Sequence, residues 1–149
     1  MKLIDCFMYF DEDLVLDIRL NTLKDKVDKF IIVEATKNHA GENKSLNFRF
    51  ENFSKFKDKI CYIVIEDLPK TVRSPKKGWH ENHARDQFQR NSIQRGYKDY
   101  NDDDLIMFSD IDELSEISFK FILSLSSSLF SSSIFKLSSI SSFLLFFRR

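Results

Sequence analysis

No acidic residue follows Glu116 in this 149-residue chain, and from Ser118 onward glycine, proline and histidine are missing as well. That last stretch, Ser118 to Arg149, uses only Ser, Phe, Leu, Ile, Lys and Arg. No secretory signal is expected, since Asp5 interrupts the apolar opening after only Leu3 and Ile4, and the body reads as cytoplasmic. Long apolar runs are lacking too. The longest uncharged stretch of the tail, Phe121 to Phe135, is Ser-rich and falls short of the roughly 20 apolar residues that a membrane span needs. Basic charge is in no excess. All 23 acidic residues lie in residues 1–117 with 19 of the 23 basic ones, so the body carries a net −4 and the tail +4. A mildly acidic body argues against general nucleic-acid binding, which needs a concentrated basic surface. Cysteine is scarce. Cys6 and Cys61 each sit in an apolar segment and read as buried free thiols, a disulfide being allowed but not implied.

What is present suits one domain with a substantial core. Leu3 to Phe10 reads as a first strand, and Asp11-Glu12-Asp13 then offers caps and dipole-compatible charge for a helix start. Leu16, Leu20, Leu23 and Val27 follow at helical spacing. Phe30 to Val33 is a second, β-branched run ending at Glu34, and Ile60 to Ile65 a third ending at Glu66-Asp67. Between them, Asn38 to Lys44 with Gly41 reads as a loop and Glu51 to Lys59 as a short helix. Pro69 and Pro75 bracket a basic loop, Lys70 to Lys77. A longer helix runs from about Trp79 to Arg95, stopped by Gly96 before a fourth strand at Leu105. Strands alternating with helices predict an α/β fold, a Rossmann-like and mostly parallel sheet flanked by helices. It occupies residues 1–117. The six-letter alphabet of 118–149 resembles translation through a pyrimidine-rich stretch, because Phe, Ser and Leu codons interconvert by one base or one frame. A frameshifted or degraded tail is the first reading, a membrane-associated segment or a genuine core element the alternatives.

The stretch Leu105-Ile106-Met107-Phe108-Ser109-Asp110-Ile111-Asp112-Glu113 carries the most chemistry, because a short apolar run ends abruptly in an Asp-x-Asp pair. Four consecutive apolar residues fit a central strand covered on both faces, and ligands of such sheets bind beyond the carboxyl ends of the strands. Near an extended chain end, side chains at i and i+2 point the same way, so Asp110 and Asp112 can face one hard cation. The other reading is a helix cap at Ser109, with Asp112 at the third helical position closing a capping box. His80 and His83, at i and i+3, have no third ligand nearby and read as surface or packing histidines rather than a metal pair.

By Asp110-Ile111-Asp112-Glu113-Leu114 an ordered set of features has accumulated. Asp5-Cys6-Phe7 opens the chain, Arg19-Leu20 lies in the first helix, and Val33-Glu34 closes the second strand. Gly41, Asp58-Lys59-Ile60, Pro69, Trp79, Glu81 and Gln89-Arg90-Asn91 follow in order. This set resembles glycosyltransferase family 17, the β-1,4-mannosyl-glycoprotein 4-β-N-acetylglucosaminyltransferase family, over about residues 3 to 117. Ser115 stands where that family tends to have proline. The resemblance implies a GT-A-type domain in which Asp110 and Asp112 hold Mn²⁺ or Mg²⁺ against the diphosphate of a nucleotide-sugar donor, UDP-N-acetylglucosamine, for transfer to a glycan or other sugar acceptor. Arg90 resembles the arginine that GT-A enzymes place near the donor, and Arg85 is a second, weaker candidate. Glu34, at a strand end, either contacts the nucleoside or is an ordinary exposed acid.

An inverting transfer also needs a base for the acceptor hydroxyl. In the resembling family that part belongs to the region beyond the Asp-x-Asp strand, where this chain offers no acid after Glu116. The chain therefore reads as a truncated transferase with impaired activity, an incomplete donor-binding portion. Competing readings are an Asp-x-Asp phosphohydrolase, whose first Asp would be a nucleophile, and a non-catalytic or membrane-associated remnant.

Overall fold

The computed structural model describes residues 1–69, 81–113, 135–137 and 144–147. Strand β1 (Leu3–Met8) leads to helix α1 (Asp13–Leu23), then β2 (Lys29–Ala35), a 3₁₀ helix (Phe50–Phe56) and β3 (Ile60–Ile65). Helix α2 (Glu81–Ser92) runs into a second 3₁₀ turn (Ile93–Gly96) before β4 (Leu105–Phe108). Two further strands, β5 (Phe135–Leu137) and β6 (Leu144–Phe147), fall within the Ser/Phe/Leu-rich tail. The described strands make one sheet in the order β3-β2-β1-β4-β6-β5. The first four are parallel, and β6 then pairs antiparallel with both β4 and β5.

Each parallel strand is apolar at nearly every position because both faces are covered. Leu3, Phe7, Phe30, Ile32, Ile60 and Met107 pack with Leu16, Leu20 and Leu23 of α1 and with Phe53 and Phe56. The alternate residues Ile4, Cys6, Ile31, Val33, Ile65, Ile106 and Phe108 pack on the opposite face with Ile93 and Phe88. The period of two thus sorts one continuous apolar run onto two helical layers. Cys6 and Cys61 are free thiols, and burial pushes both above the usual thiol range.

Several boundaries differ from the sequence expectation. Strand β1 stops at Met8 rather than Phe10. The Glu12 carboxylate accepts the N–H groups of Phe10 (2.9 Å) and Asp11 (3.1 Å), which turns the chain out of the sheet. In place of a short helix over Glu51 to Lys59 stands the 3₁₀ helix Phe50–Phe56, kinked at Phe53. Gly96 does more than stop α2: a Cβ there would lie 2.6 Å from Ile31 Cγ2 and 2.8 Å from Ile63 Cδ1, so glycine lets the turn sit directly on the sheet. Pro75, Trp79, His80 and the basic loop Lys70 to Lys77 lie outside the described residues. No helix among the described residues is long and apolar enough to cross a membrane.

Candidate active-site cleft

In this strand order, α1 leaves β1 on one face and α2 enters β4 from the other. A crevice therefore opens at the carboxyl ends of β1 and β4, where doubly wound sheets hold ligands. A cleft of about 390 Å³ occupies it, and Asp110, Asp112, Glu12, His39, Lys37 and Lys44 are among its lining residues.

The floor is set by a buried ion pair. Arg19 of α1 is fully buried and donates through Nε (2.8 Å) and Nη2 (2.7 Å) to the two oxygens of Asp5, itself fully buried in β1. Its remaining donors reach Ser109 Oγ (2.6 Å) and the carbonyls of Asp110 (2.7 Å) and Ile111 (3.0 Å). All five guanidinium N–H groups are thus used, three of them to fix the chain leaving β4. The sequence named Arg19 and Asp5 without a role. The signal was there: an acid inside an apolar strand, and an arginine on the stripe of Leu16, Leu20 and Leu23, are two opposite charges at core positions.

Past Ser109 the backbone turns. Glu113 N–H donates to the Asp110 carbonyl (3.1 Å), and the Glu113 carboxylate accepts from Asp110 N–H (3.2 Å). The two bonds close a turn over Asp110 to Glu113, and Ser109 Oγ accepts from Arg19; the helix that a Ser109 cap would start lies outside the described residues. The expectation that strand alternation aligns Asp110 and Asp112 does not apply, because β4 ends at Phe108; the turn brings both to the cleft instead. Both are exposed. Asp110 Oδ1 accepts from Arg90 Nη2 at 2.9 Å, while Asp112 makes no hydrogen bond to a described residue.

Among the described residues no group of three or more His, Cys, Asp or Glu is arranged to hold a metal ion. The two-carboxylate set nevertheless fits Mg²⁺ or Mn²⁺. Hard ions of this size keep several waters and take one or two carboxylates together with substrate phosphates.

The two arginines of α2 separate. Arg90 lies beside the cleft residue Asp110 and 3.9 Å from Asp86, and lines a neighbouring pocket with Phe108 and Tyr97 rather than the cleft itself. Arg85 is buried and donates to the carbonyls of His39 (3.0 Å) and Pro69 (3.2 Å), so it anchors the loop after β2. Gly41 of that loop has φ +92°, and a Cβ there would come within 2.9 Å of Arg85 Cζ. His39 lines the cleft with Nε2 3.1 Å from Gln89 Oε1, and Gln89 Nε2 donates to the Val33 carbonyl (3.4 Å). His39 escaped the sequence reading because only the fold brings this loop to α2. His83, of the expected surface pair, is exposed on α2.

Glu34 is not an exposed strand-end acid. It is fully buried, and its carboxylate accepts from Lys44 Nζ, from Asn47 N–H (2.8 Å) and Phe48 N–H (3.1 Å), and from the Tyr62 hydroxyl (2.7 Å). It ties the segment 44–48 to the sheet. Burial and the hydrogen bond to Glu34 push the Tyr62 hydroxyl well above the usual tyrosine range, so it stays protonated and donating. Tyr9, at the cleft, is pushed up in the same way by burial and its bond to Asp13.

No curated protein and no solved structure matches the chain. Among protein families, glycosyltransferase family 17 matches residues 1–128, which takes in every parallel strand and the whole cleft and runs past Ser118. The chain belongs to glycosyltransferase family 17.

Proposed function

We propose that the crevice between β1 and β4 binds a nucleotide-sugar donor in a metal-dependent way, as a GT-A-type site, with UDP-N-acetylglucosamine as donor and a glycan or other sugar as acceptor. One observation carries the reading: Asp110 and Asp112 stand exposed in one cleft at the switch point, with the Arg90 guanidinium at their edge. Asp110 and Asp112 hold Mn²⁺ or Mg²⁺, which supplies Lewis-acid assistance to departure of the nucleoside diphosphate. Arg90 contributes a forked donor suited to phosphate oxygens. Arg19 keeps the Asp110 and Ile111 carbonyls fixed, so the two carboxylates meet the donor without reorganising. Of the other donor-site candidates, Glu34 and Arg85 act on the donor through the loops they hold rather than by direct contact.

The test is calorimetry with UDP, with and without Mn²⁺. Binding should require the metal and should vanish when Asp110→Ala and Asp112→Ala are combined. Asp112→Asn should weaken metal binding while leaving the unfolding midpoint unchanged, since Asp112 is exposed and carries no core packing. Equal binding without metal, or unchanged binding by the double variant, would sink the reading.

A further inference from the structure

Arg90 and a divalent cation need the same carboxylate. Arg90 Nη2 stands 2.9 Å from Asp110 Oδ1 and 3.9 Å from Asp86 Oδ1, one turn back on its own helix. The guanidinium lies 5.3 Å from the centre of the Phe108 ring, a cation–π distance that holds it over the end of β4. It therefore has two carboxylates in reach and can change partner by a short swing of one side chain. Two cations on one carboxylate oxygen repel each other, so an ion that ligates Asp110 through Oδ1 displaces the arginine, and the ion pair opposes metal entry. A diphosphate reverses that opposition. Its oxygens would accept both N–H groups of a forked guanidinium and still leave acceptors for the ion.

Resting on the reading of the cleft as a donor site, we propose that Arg90 is an exchangeable counter-ion, which competes with the divalent cation for Asp110 and is drawn off by the donor diphosphate. Metal and nucleotide then bind cooperatively, each raising the affinity of the other by the same factor, and neither binds well alone. Arg90 thereby has opposite effects on the two ligands. It weakens binding of the free ion and strengthens binding of the nucleotide.

The experiment measures Mn²⁺ affinity without nucleotide by water-proton relaxation, and UDP affinity at saturating Mn²⁺ by calorimetry, on the full 149-residue chain. Arg90→Gln should bind Mn²⁺ about two- to fivefold more tightly, the scale of a partly exposed ion pair. It should bind UDP about tenfold more weakly, the scale of a charge-assisted bond to phosphate. Arg90→Lys, which keeps the charge and loses the fork, should weaken UDP and leave Mn²⁺ near wild type. Lys37→Gln removes a positive charge from the same cleft without touching Asp110, and should strengthen Mn²⁺ binding less than Arg90→Gln does. If Lys37→Gln strengthens it as much, only the general field acts and the exchange is wrong. If Arg90→Gln weakens both ligands, or leaves either unchanged, the exchange also falls while the donor site stands. If the wild type binds neither Mn²⁺ nor Mn²⁺ with UDP, the donor-site reading falls and takes the exchange with it.

Discussion

Arg19 and Asp5 are the residues whose loss should be felt most. Both are fully buried, so removing one leaves the other as an uncompensated charge in the core, at a cost of about 3–5 kcal/mol. Arg19→Met should lower the urea midpoint accordingly, and Arg19→Met combined with Asp5→Leu should recover a large part of the loss. If the double variant is as unstable as the single, the penalty comes from the bonds to Ser109, Asp110 and Ile111 rather than from the stranded carboxylate. Asp104 gives a pH-dependent case. Burial works to raise its carboxyl, but hydrogen bonds from Lys2 N–H (2.7 Å) and Asn101 N–H (3.1 Å) prevail and hold it below the ordinary aspartate value. A depressed folded value means the unfolded chain binds the proton more readily. The contribution is therefore present above the unfolded value of about 4 and is lost as pH falls through the folded one. Asp104→Asn should be less stable than wild type at pH 7, and urea midpoints of the two should converge toward pH 3.

At the scale of elements, two glycines should respond to alanine for different reasons. Gly96→Ala drives a methyl into Ile31 and Ile63 where α2 settles on the sheet, and overpacking of this kind costs about 1–3 kcal/mol. Thermal unfolding reads it as a lower midpoint for the whole domain. Gly41→Ala sits at φ +92°, where a side chain costs about 1–2 kcal/mol, and its Cβ crowds Arg85. Its effect should stay local. Hydrogen exchange should speed up at the Asn38, Gly41 and Lys44 amides, which bond to the Glu42, Asn38 and Thr36 carbonyls, while the β1 and β2 amides keep their protection. Uniformly faster exchange would mean that the loop is integral to the core.

For the whole molecule the expected outcome concerns turnover. A general base contributes about 10² to 10⁴-fold, and residues 117–149 contain no carboxylate and no histidine to serve as one. UDP release from UDP-N-acetylglucosamine in the presence of mannose-containing acceptors should stay at background for this chain, even where donor binds. Acceptor-dependent turnover abolished by Asp112→Ala would place the base among residues 1–116. Glu12 and His39, both at the cleft, would then be the first to substitute.

Apolar runs, turn residues and strand–helix alternation were enough to place the four parallel strands and both helices along the chain, because each depends on local pattern, whereas the turn that carries Asp110 and Asp112 was read as an extended strand end. Free thiols at Cys6 and Cys61 followed from the same pattern. Which charges are buried was decided only in three dimensions. Glu34 and Arg85 look in sequence like polar residues beside a site, yet the fold closes Lys44, Asn47, Phe48 and Tyr62 around one and the His39 and Pro69 carbonyls around the other. Arg90, five positions from Arg85, is left to pair with Asp110 at the edge of the cleft. The reason is physical: periodicity reports which face of an element is apolar, whereas the partners of a buried charge come from distant parts of the chain, 14 residues apart for Arg19 and Asp5 and 91 for Arg19 and the Asp110 carbonyl.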